Sequence, residues 1–126
     1  MILGFKSRFK GQIMNGQKIH SIREDVHGRW KPGMKIHFAT GARTKFYNQF
    51  WYGHCKSVQD IRLIGYGVVV RDFMVLIDNR ELSWDEIDIL AKNDGFESYI
   101  EFADWFIPKE YTNYAGKLIH WTNKIY

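Results

Sequence analysis

Arg23 is the strongest anion binder in the sequence. Its planar guanidinium can meet a phosphate or carboxylate through two parallel hydrogen bonds, although an ion pair with an acidic helix would use the same fork. Asp94 stands out for its position. It falls just before Gly95, at the end of an expected helix, where free carbonyls make the terminus partly negative and disfavour a carboxylate by up to about 1 kcal/mol. Residues that break a local rule are enriched at functional sites; a lysine partner or a capped loop amide would also account for it. The stretch ARTKFYNQFWYGHC (42–55) interleaves Arg43 and Lys45 with Phe46, Tyr47, Phe50, Trp51 and Tyr52. Rings that stack on bases, beside cations that meet phosphates, suit single-stranded nucleic acid at about 1–3 kcal/mol per stacked base. The same rings could instead cover the end of a barrel or a dimer contact. The five histidines, His20, His27, His37, His54 and His120, lack the close spacing of a zinc site. His54 and Cys55 are sequence neighbours, which a strand would send to opposite faces. No P-loop or GxGxxG occurs, so neither a metal nor a nucleotide cofactor is expected.

These residues need elements to hold them. Phe5, Phe9 and Ile13 recur at helical spacing with Gly16 just beyond, which predicts a short amphipathic N-terminal helix. KIHSIR (18–23) and MKIHFAT (34–40) alternate as strands, separated by a loop punctuated by Gly28 and Pro32-Gly33. Residues 41–54 read as irregular. From Cys55 to Asp78 the pattern is strand-like, with Gly65 and Gly67 marking a bulge or turn. Ser83-Trp84-Asp85-Glu86 is a capping box flanked by the Leu82/Ile87 staple, and Gly95 closes the helix it begins. Ser98-Tyr99-Ile100-Glu101 predicts a second capped helix, ended by Pro108. GKLIHWTNKIY (116–126) is a final strand. Strands interrupted by two consecutive helices point to an α+β, barrel-like domain rather than a doubly wound sheet.

Size and composition agree with one domain over residues 1–126. A chain of 126 residues with 45% hydrophobic and 17% aromatic content can bury a core and is not disordered. The single cysteine excludes a disulfide framework. No apolar run reaches the roughly 18 residues of a membrane span, and MILGFKSRFKGQ is too short and charged for a secretory segment, so the expected location is the cytoplasm. The net charge of +4 is unevenly spread. Residues 1–56 carry eleven Lys/Arg and two acidic residues, a net of +9, whereas 57–126 carry seven against twelve, a net of −5. If the halves do not interleave in space, one surface is positive and attracts phosphates.

Four stretches together resemble the ASCH domain of the PUA-like superfamily: GQKIHSIR (16–23), WKPGMKIHF (30–38), LAKNDGFES (90–98) with DWF (104–106), and GKLIHWT (116–122). They stand in the family's order and span nearly the whole chain. The resemblance implies a small mixed β-barrel with flanking helices and a cleft near the strand that carries Arg23. Family members are associated with RNA or modified nucleosides. One small bacterial branch, similar to this chain around residues 16–23, hydrolyses the acyl amide of N4-acetylcytidine with a lysine, a threonine and a glutamate. The matching positions are Lys18, Ser21 in place of threonine, and Asp94 in place of glutamate.

Under that resemblance Ser21 is the nucleophile, Lys18 its base and Asp94 the group that orients Lys18 or activates a water. Arg23, as a cationic neighbour, would help depress the lysine pKa. Strict strand alternation sends Lys18 and Ser21 to opposite faces, so the triad requires Lys18 to precede the regular strand or a bulge to re-aim it. The expected ligand is RNA or a modified nucleoside, with Arg23, Arg43, Lys45, Tyr47 and Trp51 in its binding surface. A binding or regulatory module without chemistry is the first alternative. A ribonuclease, with Lys18 or Arg23 stabilising the phosphorane and His20 as acid or base, is the second. The aromatic segment allows either a monomer or a dimer.

Overall fold

A computed structural model describes residues 1–66, 72–107 and 110–126. The chain runs β1 (Ile2–Phe5), a 3-10 turn (Ser7–Phe9), α1 (Lys10–Met14), β2 (His20–Arg23), β3 (Lys35–Thr40), β4 (Asn48–His54), β5 (Ser57–Gly65), β6 (Phe73–Ile77), β7 (Arg80–Glu81), α2 (Trp84–Asn93), α3 (Tyr99–Phe106) and β8 (Thr112–His120). It is a mixed α+β protein, as the alternation of periods implies. The strands form two sheets. One has order β1-β3-β4, with β1 parallel to β3; the other is antiparallel, with order β2-β8-β5-β6-β7. Among the described residues the ladders do not close into a single barrel. No described helix is long and apolar enough to cross a membrane.

The core follows from alternation. On β5, Ile61 and Leu63 face inward while Asp60 and Arg62 face out, and β6 buries Phe73, Val75 and Ile77 on the same rhythm. Leu118 and Ile119 of β8 join them, and Ile87, Leu90 and Ala91 of α2 and Phe102 of α3 belong to the same core. From the three-stranded sheet come Leu3, Phe5, Ile36 and Phe38, and Trp121 packs edge-on against Phe38, 4.9 Å between ring centroids.

Several elements differ from the sequence reading. The N-terminus begins with strand β1, not helix; Phe5 ends that strand, while Phe9 and Ile13 belong to the following turns. All three are buried, and the expected short helix is present as α1 with Gly16 just beyond it at φ +84°, so the helical spacing holds for Phe9 and Ile13 and fails for Phe5. Residues 48–54, read as irregular, pair with β3 across a register shift at Phe38/Ala39. Their side chains are largely exposed on both faces, so no period-2 signal exists to read. The Ser83 capping box forms with both of its bonds, but the Ser98 box does not. The Tyr99 amide donates to Asp88 Oδ1 of α2 instead, and Glu101 pairs with Arg8. The last strand starts earlier than expected, at Thr112, and leaves the sheet after His120. Gly67 and Pro108 lie outside the described residues.

Candidate functional site

The end of α2 is built by a glycine turn. Gly95 has φ +95°, its amide bonds Lys92 O, and the Phe96 amide bonds Ala91 O at 2.9 Å. This 6→1 and 5→2 pattern is a Schellman motif. It puts Asp94 at the C-cap with its carbonyl and carboxylate facing the chain that enters β2. Residues 18 and 19 fill that space. The Ile19 amide donates to Asn93 O at 2.9 Å, and Lys18 Nζ donates to Asp94 O at 2.7 Å and to Asp94 Oδ1 at 3.0 Å. A lysine at a helix C-terminus is electrostatically favoured, and it supplies the cation that a carboxylate at this position lacks. Both side chains are sealed, Lys18 at 3% and Asp94 at 1% exposure.

Lys18 precedes the regular strand, since β2 begins at His20. The alternation rule therefore does not separate it from Ser21, and Lys18, Ser21, Arg23 and Asp94 all line one cleft of about 900 Å³. Arg23 Nε donates to Ser21 Oγ at 3.2 Å, and Arg23 Nη2 donates to Gly4 O at 2.7 Å. Aromatic rings surround these polar groups. Lys18 Nζ sits 4.8 Å from the Phe9 centroid, and the Arg23 guanidinium carbon 5.0 Å from that of Phe5, both within cation–π range. Phe46, Phe96 and Trp105 complete the apolar wall.

Behind the cleft runs a second row. His20, fully buried, bonds Asp94 Oδ1 through Nδ1 at 3.0 Å and Tyr126 OH through Nε2 at 2.5 Å. Asn93 Nδ2 donates to that hydroxyl at 3.0 Å. With Asn93 as donor, the Tyr126 proton goes to His20 Nε2, so the neutral ring carries its proton on Nδ1 and donates it to Asp94. The carboxylate oxygen thus accepts two hydrogen bonds and is held from both sides. Burial lowers the Lys18 pKa from its ordinary value, with the Asp94 charge opposing. Burial likewise keeps His20 neutral, and it pushes the Tyr126 phenol up to about 12.

The structure brings together four of the residues named from sequence: Lys18, Ser21, Arg23 and Asp94. It disperses the other four. Arg43 lines an adjoining cavity, Lys45 lies over the Phe46 ring, Tyr47 is exposed, and Trp51 rests on Phe38 at 5.0 Å while keeping two-fifths of its surface free. His20 is enclosed with both ring nitrogens bonded, so it positions Asp94 and does not face the cleft. Tyr126 and Asn93 were missed. They enter through the tail that folds back after β8 and through the last turn of α2, and neither position carries a sequence signal. Among the described residues, no group of three His, Cys, Asp or Glu side chains is placed to share a metal ion. Comparison of the chain with family models, curated proteins and solved structures finds no match.

Proposed function

We propose that this chain is an ASCH-type, PUA-like domain that binds a modified nucleobase in the aromatic cleft and hydrolyses its N-acyl amide, with N4-acetylcytidine as the representative substrate. The observation that carries this reading is the buried Lys18–Asp94 pair lining the same cleft as Ser21 and Arg23. Once it gives up its third proton, which burial makes easier, the Lys18 amine donates its two remaining hydrogens to Asp94 and turns its lone pair elsewhere, as a general base must. Ser21 Oγ already accepts from Arg23, which leaves its own proton to pass to that lone pair. Oγ then forms a bond to the acyl carbon, and the carbonyl electron pair moves to oxygen, where the Arg23 guanidinium stabilises it. Collapse breaks the C–N bond, and Lys18 returns the proton to the departing exocyclic nitrogen. Water cleaves the acyl-serine by the same route and releases the carboxylic acid.

Liquid chromatography of N4-acetylcytidine incubated with the wild-type protein and with Ser21→Ala tests this. Cytidine release by wild type and a loss of about 100-fold or more in the variant, with circular dichroism unchanged, is the expected result. No release at high enzyme concentration rules out amide hydrolysis of this substrate. One observation favours a second, non-catalytic reading. Phe46 and Tyr52 are exposed with Lys45 and Lys35 over their faces, a surface suited to stacking single-stranded RNA. RNA affinity that falls steeply with salt, and falls again in Tyr52→Ala, would place binding ahead of chemistry.

A further inference from the structure

A second cavity of about 530 Å³ adjoins the cleft, and Gly4, Arg23 and Ala42 line both. The seam is built from small residues. A Cβ on Gly4 would lie 3.0 Å from the Ala42 Cβ, so the two chain segments approach closely where the cavities meet and a larger residue at either position would crowd the seam. Three arginines, Arg23, Arg29 and Arg43, line the second cavity. Among the described residues none of them forms an ion pair with a carboxylate. The one acidic residue there, Asp25, accepts from the backbone amides of Arg29 and Trp30 through its two carboxylate oxygens, at 2.9 and 3.0 Å. Arg43 is held at φ +64° in the turn that the Thr44 amide and hydroxyl close onto Gly41 O. That backbone favours glycine and strains a residue with a Cβ. Strain of this kind clusters where a side chain is needed for binding.

We infer that the second cavity is a phosphate subsite, so that the ligand of this protein is a phosphorylated nucleoside rather than a free one. The inference rests on the reading that the larger cleft takes the base. The base then stacks among Phe46, Phe96 and Trp105, the sugar passes Gly4 and Ala42, and the phosphate meets Arg29 and Arg43, with Arg23 at the seam between them. Arginine forks suit a phosphate's paired oxygens, and such charge-assisted bonds are stronger than neutral ones.

Isothermal titration of cytidine, cytidine 5′-monophosphate and inorganic phosphate into wild type, Arg29→Ala and Arg43→Gly separates the two ideas. Arg43→Gly relieves the backbone strain, so its melting temperature stays at or above that of wild type and lost binding is not lost folding. The expected result is that the monophosphate binds wild type about tenfold tighter than cytidine. That advantage shrinks in both variants and at higher salt, while cytidine binding is unchanged. Equal affinity for the two ligands, or an advantage that survives both substitutions, overturns the phosphate subsite and leaves the base reading intact. Binding of inorganic phosphate that both variants lose, with no binding of cytidine, keeps the subsite and overturns the base reading. No binding of any of the three overturns both.

Discussion

Lys18 and Asp94 form an ion pair with almost no access to solvent, and such pairs are costly to break singly. Removing one partner leaves an uncompensated buried charge, at about 3–5 kcal/mol. Lys18→Met should therefore lower stability by that order in urea unfolding. Lys18→Met combined with Asp94→Asn should recover at least about 1 kcal/mol of it, because the stranded charge is gone while His20 keeps its acceptor. A double variant no more stable than Lys18→Met alone would show that the carboxylate was not stranded. The half of this site that could be read from sequence is the half that breaks a rule. Asp94 is anomalous at a helix C-terminus, and the cation the anomaly calls for turns out to be Lys18. The other half, Asn93, Tyr126 and the place of His20 as a brace for Asp94, depends on a fold that brings the chain end back onto β2.

At the scale of elements, the glycine that ends α2 sets the geometry of the site. A Cβ at Gly95 would meet Gln12 Oε1 at 2.3 Å and the Phe9 ring at 3.1 Å, on a backbone at φ +95°. Gly95→Ala should cost on the order of 1–3 kcal/mol and tilt Asp94 out of register with Lys18. Gly11, inside α1, has nothing within 4 Å of its would-be Cβ. Gly11→Ala should raise stability by about 0.5–1 kcal/mol. Thermal melts of the two variants must move in opposite directions, and a Gly95→Ala melt at or above that of wild type would refute this account of α2. This helix was legible because its signals are local: the Ser83 box, the apolar stripe and the closing glycine lie within a few turns. β1 and β4 were not. β1 is held by a parallel ladder to β3, from Ile2↔His37 to Phe5↔Thr40, and no local pattern encodes a partner that distant. The Ser98 box failed for a similar reason, since Asp88 of the neighbouring helix takes the Tyr99 amide and Arg8 takes the Glu101 carboxylate, both from outside the box.

Across the whole molecule, the segment 121–126 folds back over the start of β2, and two neutral histidines sit in the seam. His20 and His120 meet edge to face at 5.3 Å between ring centroids, with Tyr126 against both. His120 Nε2 bonds Gln59 Oε1 at 2.9 Å, and that same oxygen accepts the Tyr126 amide at 3.0 Å. The ring therefore carries its proton on Nε2. Its Nδ1 is buried with no hydrogen-bond partner among the described residues. A second proton would land on that nitrogen with nothing to accept it, in a medium that solvates charge poorly. Burial, with His20 adding to it, accordingly depresses the His120 pKa from 6.5 to about 4. Between those values the unfolded chain takes up a proton that the folded chain refuses, so stability is complete above about pH 6.5 and is lost as the pH falls toward 4. The loss from this one group is on the order of 3 kcal/mol, at about 1.4 kcal/mol for each pH unit of the window. Urea midpoints measured from pH 7.5 to 4 should fall across that window in wild type. In His120→Gln, which retains a donor toward Gln59 and cannot titrate, the decline should be shallower, with the residual slope set by His20. Equal slopes in the two proteins would mean that the seam does not govern acid stability. The carboxylates that accept backbone bonds, Asp25, Asp88 and Glu86, have lowered pKa values, and their share of the stability is lost only at more acid pH.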